Sequence, residues 1–255
     1  MQITFVRHAT MILSYGGRKL LIDPMFGGAE SMDPIRNTPN QRRNPLVDLP
    51  FDPREMAQLL EALDAIFVTH THQDHWDQIA RESLAKSLPL FCQPEDLSGF
   101  ADARFDNLQP VESNVTWHDM HITRTGGQHG SGELGEQMGP VSGFLLQAEG
   151  EPSVYVVGDS IWCREVEDVL RVHQPDVVIV NAGAAQFLTG DPITMAADDV
   201  LRVLRALPAS RVVAVHMEAI NHCLLKRAQL QEFIHQADSA YTLDIPQDGV
   251  AINIE

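Results

Sequence analysis

The chain has 255 residues, of which 44% are hydrophobic, and its formal net charge is −17 at pH 7. This length and composition suffice for a full core, and we expect residues 1–255 to form one domain made of two αβ halves. The acidic surface excludes nucleic acid as an expected partner, because nucleic-acid binding needs clustered Lys and Arg. The apolar runs are far shorter than the ~18 residues of a transmembrane helix, so stable membrane insertion is not expected.

The cysteines point to a reducing compartment. Cys92, Cys163 and Cys223 are odd in number, widely scattered and outside any Cys-x-x-Cys pair. This pattern argues against a disulfide framework, and we interpret the three as small buried apolar residues. The N-terminal residues do not have the pattern of a basic leader, a long apolar region and a small-residue cleavage site. We therefore expect no signal peptide and a cytoplasmic location.

The first quarter of the chain predicts strands followed by a long loop. Residues 2–6, 11–15 and 19–22 are short, β-prone and separated by turn signals. Residues 26–50 are rich in Pro, Asn, Gly and charge and have no sustained period. A loop of this length is either a lid over a binding site or a plain surface excursion, and the sequence favours neither.

Helices and strands alternate from residue 52 onwards. Asp52-Pro53-Arg54-Glu55 has the pattern of a helix start, with an Asp N-cap, Pro at the first position and Glu three residues after the cap. The helix leads into an apolar strand at residues 65–68. A second helix is predicted over residues 78–88, and a strand over residues 90–92.

The second half repeats this organisation after a glycine-rich turn at residues 126–132. Paired strands are predicted within residues 111–124. Further strands are predicted at residues 142–148, 153–157, 177–180, 211–215 and 250–254, and helices at residues 165–173, 195–207 and 225–237. The alternation in each half predicts an α/β fold in which helices cover the outer faces of two sheets.

The segment Thr69-His70-Thr71-His72-Gln73-Asp74-His75 places three histidines and a carboxylate directly after the strand at residues 65–68. Histidine is the commonest metal ligand, and buried groups of this kind would need partners without a metal. His70 and His72 point the same way in an extended chain, whereas Asp74 and His75 follow where the chain turns. The segment can therefore serve two ions. Nitrogen and oxygen donors without cysteine favour zinc, manganese, iron or nickel.

Three residues elsewhere are candidates for the remaining ligands. His129 lies in the glycine-rich turn, Asp159 follows the strand at residues 153–157, and His216 follows the strand at residues 211–215. Strand ends are where α/β proteins gather their chemistry, so we expect all three at the metal site.

These motifs resemble the ligand set of the metallo-β-lactamase superfamily over nearly the whole chain. The opening from His8 to Pro24 and the stretch from Val68 to Asp77 are most similar to the branch of L-ascorbate 6-phosphate lactonase-like proteins. The resemblance implies a four-layer αββα sandwich with the site at the edge between the sheets. It also implies one metal held by His70, His72 and His129, a second held by Asp74, His75 and His216, and Asp159 as the bridge.

The resemblance implies a metal-dependent hydrolase. Redox members with two irons usually carry glutamate at the position of His72, and the mild departure here is Ser160, where threonine is commoner. We expect two divalent ions, with zinc as first choice, and a metal-bridged hydroxide that attacks a small-molecule ester or lactone. Asp74 is the expected catalytic residue, which holds the nucleophile and shuttles its proton. The alternatives are a phosphodiesterase of the phospholipase D type and a non-catalytic metal-binding regulator.

Three further residues are candidates for binding the substrate. His8 lies between two predicted strands and either reaches the pocket or is structural. His222 either orients substrate or supports a ligand, and Asn181 either lies near the site or caps its turn. The remaining histidines are interpreted as structural or exposed: His118, His121, His173 and His235. Because the superfamily often associates, a homo-oligomer is left open.

Overall fold

The computed structural model describes residues 1–238 and 240–254 and arranges them in four layers, with two sheets packed between two sets of helices. The first sheet contains β1 (Gln2–Arg7), β2 (Thr10–Tyr15), β3 (Arg18–Ile22), β4 (Ala65–Val68), β5 (Leu90–Cys92), β6 (Leu108–Pro110) and β14 (Ala251–Asn253). Its strand order is β14-β1-β2-β3-β4-β5-β6. The pairs from β14 to β3 are antiparallel, and those from β3 to β6 are parallel.

The second sheet repeats this mixed pattern. It contains β7 (Asn114–Trp117), β8 (Met120–Thr125), β9 (Gly143–Ala148), β10 (Val154–Val156), β11 (Val177–Asn181), β12 (Arg211–Val215) and β13 (Leu243–Asp244). Its order is β13-β12-β11-β10-β9-β8-β7. The pairs from β7 to β10 are antiparallel, and those from β10 to β13 are parallel. The expected αββα sandwich is confirmed.

Helices cover the outer face of each sheet. The helices are α1 (Pro53–Glu61), α2 (Gln78–Ser83), α3 (Leu97–Asp102), α4 (Gly132–Met138), α5 (Arg164–His173), α6 (Ala197–Ala206) and α7 (Arg227–Ala237), and a short 3-10 turn spans Pro94–Asp96. Apolar residues of α1 to α3 pack on the first sheet, and those of α5 to α7 pack on the second. Among the described residues, no helix has the length and apolar character that a membrane span requires.

The period-2 alternation of the strands builds the core. In β4, Phe67 faces the space between the sheets, whereas Ile66 and Val68 face the helices. Phe67 stacks on Phe91 with ring centroids 4.6 Å apart and meets Phe144 of the other sheet edge-on at 5.5 Å. These contacts hold the sheets together below the edge where β4, β10 and β12 end.

Two segments have a secondary structure that differs from the one predicted by the sequence. α2 ends at Ser83 rather than at residue 88, because Leu84 turns to an extended conformation and buries its side chain. The glycine-rich segment is not only a turn, since part of it forms α4. α4 forms because Leu134 and Met138 pack against a buried apolar cluster, which outweighs the poor helix propensity of glycine. Three further elements, α3, β6 and β13, are not predicted by the sequence pattern.

Two buried side chains anchor the loop that spans residues 26–50. Arg7 donates to the carbonyls of Met25, Gly27 and Val47. Asn221 donates to the carbonyls of residues 35 and 40 and accepts from the amide of residue 35. The loop is therefore tied to the segment that follows β12, where His216 lies.

Candidate metal centre

The fold brings all seven expected ligands to one edge of the sandwich. His70, His72, Asp74 and His75 follow the end of β4, where the amide of His75 donates to the carbonyl of His72 and turns the chain. His129 lies between β8 and α4, Asp159 follows β10, and His216 follows β12. Their donor atoms form overlapping groups, each within 4.8 Å.

The first group consists of His70, His72 and His129. His70 Nε2 lies 3.0 Å from His72 Nδ1, and the imidazole of His129 faces the same space. Ligand atoms around a tetrahedral zinc ion, each about 2.0–2.1 Å from it, are roughly 3.3 Å apart. The nitrogen spacing of the first group therefore fits one ion.

The second group contains His8, Asp74, His75 and His216, and the last three are the ligands expected from the sequence. His75 Nε2 and His216 Nε2 are 3.2 Å apart. Asp74 Oδ2 lies 3.6 Å from His216 Nε2 and 3.9 Å from His75 Nε2. These spacings fit a second ion with two nitrogen donors and one oxygen donor.

Asp159 connects the two groups. Its Oδ2 lies 3.5 Å from His129 Nε2 and 3.2 Å from His75 Nε2, and its Oδ1 lies 3.2 Å from His216 Nε2. Asn181 donates to Oδ1 at 2.6 Å and fixes the carboxylate. This position fits a carboxylate that bridges two ions.

Asp23 orients one histidine of each group, although no role was expected for it from the sequence. Its carboxylate accepts from His75 Nδ1 at 2.8 Å and from the hydroxyl of Thr69 at 2.8 Å. Because that hydroxyl donates to Asp23, it accepts from His70 Nδ1, which is 3.1 Å away. Once their Nε2 atoms are deprotonated, both histidines would therefore present those atoms to a bound metal. The sequence does contain a signal for this role of Asp23: it is a polar residue directly after β3. The strand β3 pairs with β4, which the histidine segment follows.

We expect Asp23→Asn to weaken binding at both groups. The amide places a donor where His75 and Thr69 also donate, so the two imidazoles lose their orientation. Loss of such a supporting partner typically lowers metal affinity by about 10- to 100-fold. Chelator competition measures the affinities, with Asp64→Asn, at an exposed carboxylate, as the matched control. Equal affinities in the wild type and Asp23→Asn would contradict this role.

The charges of the metal-free cluster are strongly coupled. Burial alone would lower the pKa of His75, but Asp159, Asp23 and Asp74 raise it to about 10. Burial would likewise lower the pKa of His216, which Asp159 raises well above its usual range. The pKa of Asp159 lies well below its ordinary value, because His216 and His75 outweigh the effect of burial. Without metal, protonated histidines therefore neutralise the carboxylates.

Metal binding is therefore expected to release protons at pH 7. His75 and His216 are protonated below their raised pKa values and must lose those protons to become ligands. Affinity should rise with pH, by about tenfold per pH unit for each proton released. Calorimetric titration with Mn²⁺ in buffers of different ionisation enthalpy measures the release. A binding enthalpy that is independent of the buffer would contradict the expectation.

The structure also places the three candidate substrate residues. His8 contacts Asp74 and His216, Asn181 holds Asp159, and buried His222 has its ring 6.1 Å from that of Phe187. Their roles in substrate binding stay predictions. Cys223 is buried, as expected, but its Sγ also contacts His216 Nδ1 at 3.5 Å, which the sequence did not indicate.

Comparisons with known proteins agree with this fold. A family model described as beta-lactamase superfamily domain matches residues 18–217. The UPF0173 protein YddR of Bacillus subtilis is 34% identical, over 98% of each chain. A UPF0173 metal-dependent hydrolase of Azorhizobium caulinodans is 26% identical over 85% of each chain.

Two solved structures are similar over the full length. The isothiocyanate hydrolase from Delia radicum gut bacteria has 36% identity and a TM-score of 0.93, with 100% of this chain and 99% of that chain covered. A possible metal-dependent hydrolase from Veillonella parvula DSM 2008 has 34% identity and a TM-score of 0.94, with the same coverage.

The fold and the donor groups define a metal-dependent hydrolase. The chain belongs to the metallo-β-lactamase superfamily and, within it, to the UPF0173 metal-dependent hydrolases. The expected superfamily and hydrolase class are confirmed, whereas the lactonase-like branch stays a prediction.

Proposed function

We propose that the chain uses two divalent ions to hydrolyse a small, uncharged molecule at an electrophilic carbon, in first place that of an ester or lactone. The observation that carries this proposal is the position of Asp159, which faces His75 and His129 with one oxygen and His216 with the other. Two bound ions would lower the pKa of a shared water towards about 7 and supply hydroxide at neutral pH. Zinc is the preferred ion, with manganese, iron and nickel as alternatives.

Asp74 is the residue best placed to move protons. Its side chain is 11% exposed, against 3% for Asp159, so it is the donor carboxylate nearest to solvent. Burial would raise the pKa of Asp74, but His75 and His216 hold it well below its usual range. Asp74 is therefore ionised at neutral pH. Because its low pKa makes it a weak base, it would take up a proton from water made acidic by bound metal and pass it to the leaving group.

The surroundings of the metal centre favour an uncharged organic substrate. A buried apolar cluster lies beside both groups and contains Met25, Ala185, Ile193, Ile220 and Cys223. The carbonyl of Ile193 accepts from His129, and Cys223 contacts His216, so the cluster adjoins both metal groups. A cavity of about 330 Å³ lies on the His129 side of the first group and is lined by glycines together with Gln128, His129 and Glu136, a size that suits a small molecule. The net charge of −17 disfavours anionic phosphodiesters and phospholipids.

An isothiocyanate is the second candidate substrate, because the isothiocyanate hydrolase is 36% identical over the whole chain. Hydroxide would add to the central carbon of R–N=C=S to give a thiocarbamate. The C–N bond would then break as the nitrogen takes a proton, which yields the amine R–NH₂ and carbonyl sulfide. This reaction needs water and no other reactant.

The test is a substrate panel run on protein reconstituted with each candidate metal in turn. We expect turnover of esters, lactones or isothiocyanates by the metal-loaded wild type, and none after chelation. His235→Ala, on the exposed face of α7, should retain full activity. Turnover of phosphodiesters alone, with cosedimentation on lipid vesicles, would favour the phospholipase D alternative. No turnover with both ions bound would favour the non-catalytic regulator.

A further inference from the structure

His8 has an unusual position at the second metal group. It lies between β1 and β2 with φ +62°, in the left-handed region that few non-glycine residues adopt, and its side chain is fully buried. The amide of His216 donates to its carbonyl at 2.8 Å. The two imidazoles pack together with ring centroids 3.6 Å apart. Backbone and ring contacts therefore both hold His8 against His216, one of the expected metal ligands.

The only polar contact of the His8 ring within the described residues is with Asp74. His8 Nε2 lies 3.1 Å from Asp74 Oδ2, and His8 Nδ1 has no hydrogen-bond partner. A carboxylate that binds a metal is ionised and can only accept a hydrogen bond. Nε2 must therefore carry the proton and donate it to Oδ2. That oxygen also faces His75 and His216, so His8 holds the oxygen that is turned to the second ion.

The free Nδ1 distinguishes His8 from the metal-ligand histidines around it. Ligand histidines normally use their second nitrogen to bind a supporting group. Four buried histidines of the centre do so: His70 with Thr69, His75 with Asp23, His129 with the carbonyl of Ile193, and His216 with Cys223. In the part of the chain that the structure describes, His8 Nδ1 has no such partner, which argues against a role as an additional ligand.

We infer that His8 is a positioning residue that fixes Asp74 Oδ2 towards the second metal ion through an Nε2–H hydrogen bond. The inference rests on the proposed function, because it places an ion at Asp74. A hydrogen-bond donor has an effect at Asp74 because its side chain is the more solvent-exposed of the two donor carboxylates. Rotation of the Asp74 carboxylate about its Cβ–Cγ bond would turn Oδ2 away from His75 and His216.

Three substitutions separate the hydrogen bond from the ring contact. His8→Gln keeps a donor nitrogen at the same number of bonds from the backbone. His8→Asn has the same amide group on a side chain that is one carbon shorter, so the amide does not reach Asp74. Asparagine also tolerates a positive φ. His8→Phe keeps a flat ring against His216 but has no donor. Chelator competition measures the affinity of each ion, and the visible spectrum of the Co²⁺ form reports the geometry of the second site.

We expect His8→Phe and His8→Asn to bind the second ion about 10- to 100-fold more weakly, with first-ion affinity unchanged. His8→Gln should bind it within a few-fold of wild type and retain the Co²⁺ spectrum. His235→Phe, at an exposed position, is the control.

Second-ion affinity equal to that of the wild type in His8→Phe would overturn the inference. If His8→Phe does not fold, the same result in His8→Asn would overturn it. So would loss of the second ion in His8→Gln, since a ligand role would then follow. A wild type that binds one ion would overturn the proposed function itself.

Discussion

The Asp159→Ala variant is expected to lose bound metal and activity together. Among residues 1–238 and 240–254, Asp159 is the one carboxylate within 3.5 Å of donor nitrogens from both groups, those of His129, His75 and His216. Under the two-ion proposal, its removal would take an oxygen donor from each ion, and it would leave the raised pKa values of His75 and His216 without their main cause. The loss of the ions returns the pKa of water to 15.7 from about 7, so hydroxide at pH 7 is no longer supplied.

We expect the activity of Asp159→Ala to fall at least on the order of 10³-fold, a fraction of the 10⁶-fold or more that enzymes provide. Metal content by mass spectrometry and turnover of the best panel substrate measure both effects. Asp168→Ala, at an exposed carboxylate with ion pairs to Arg164 and Arg171, is the matched control. Asp159→Ala protein with two ions and wild-type turnover would show that the bridge is dispensable.

The Gly183→Ala variant is expected to damage the second metal group from outside the ligand set. A Cβ at this position would lie 2.2 Å from the carbonyl oxygen of His216 and 3.0 Å from the Sγ of Cys223. Neither neighbour is the end of a flexible side chain, because Cys223 is buried against His216. The backbone of His216 must therefore move. Overpacking of this kind typically lowers the free energy of unfolding by about 1–3 kcal/mol.

We expect Gly183→Ala to bind the second ion more weakly and to unfold at a lower denaturant concentration, whereas first-ion affinity changes little. Chelator competition and urea unfolding measure the two effects. Gly99→Ala, in α3, is the matched control, because its added Cβ would meet nothing within 4 Å. That change should be neutral or stabilise by up to about 1 kcal/mol, since alanine favours a helix. Unchanged unfolding of Gly183→Ala would contradict the packing around His216.

The residues that gather at the candidate metal centre could be predicted from the sequence, because each one follows an apolar strand or lies in a glycine-rich turn. The segment from His70 to His75 carries four of them directly after β4. The expected strands also agree closely with β1 to β5, because period-2 patterns and turn residues mark them locally. The starting point of α1 follows from its capping box, which the structure confirms at Asp52 and Glu55.

The supporting residues could not be predicted, because their roles depend on pairs that are distant in the chain. Asp23 reaches His75 only because β3 pairs in parallel with β4. His8 reaches Asp74 across 66 positions, and Asn221 anchors a loop that begins almost 200 residues earlier. α4 depends on tertiary packing that outweighs the low helix propensity of its glycines.

The most direct test of the two-metal hydrolase is the anomalous diffraction of crystals of the zinc-loaded protein, recorded on both sides of the zinc absorption edge. The expected result is two peaks about 3.5–4 Å apart. One peak should lie among His70, His72 and His129, and the other among Asp74, His75 and His216, with Asp159 between them. A single peak, or two peaks that Asp159 does not join, would contradict the account.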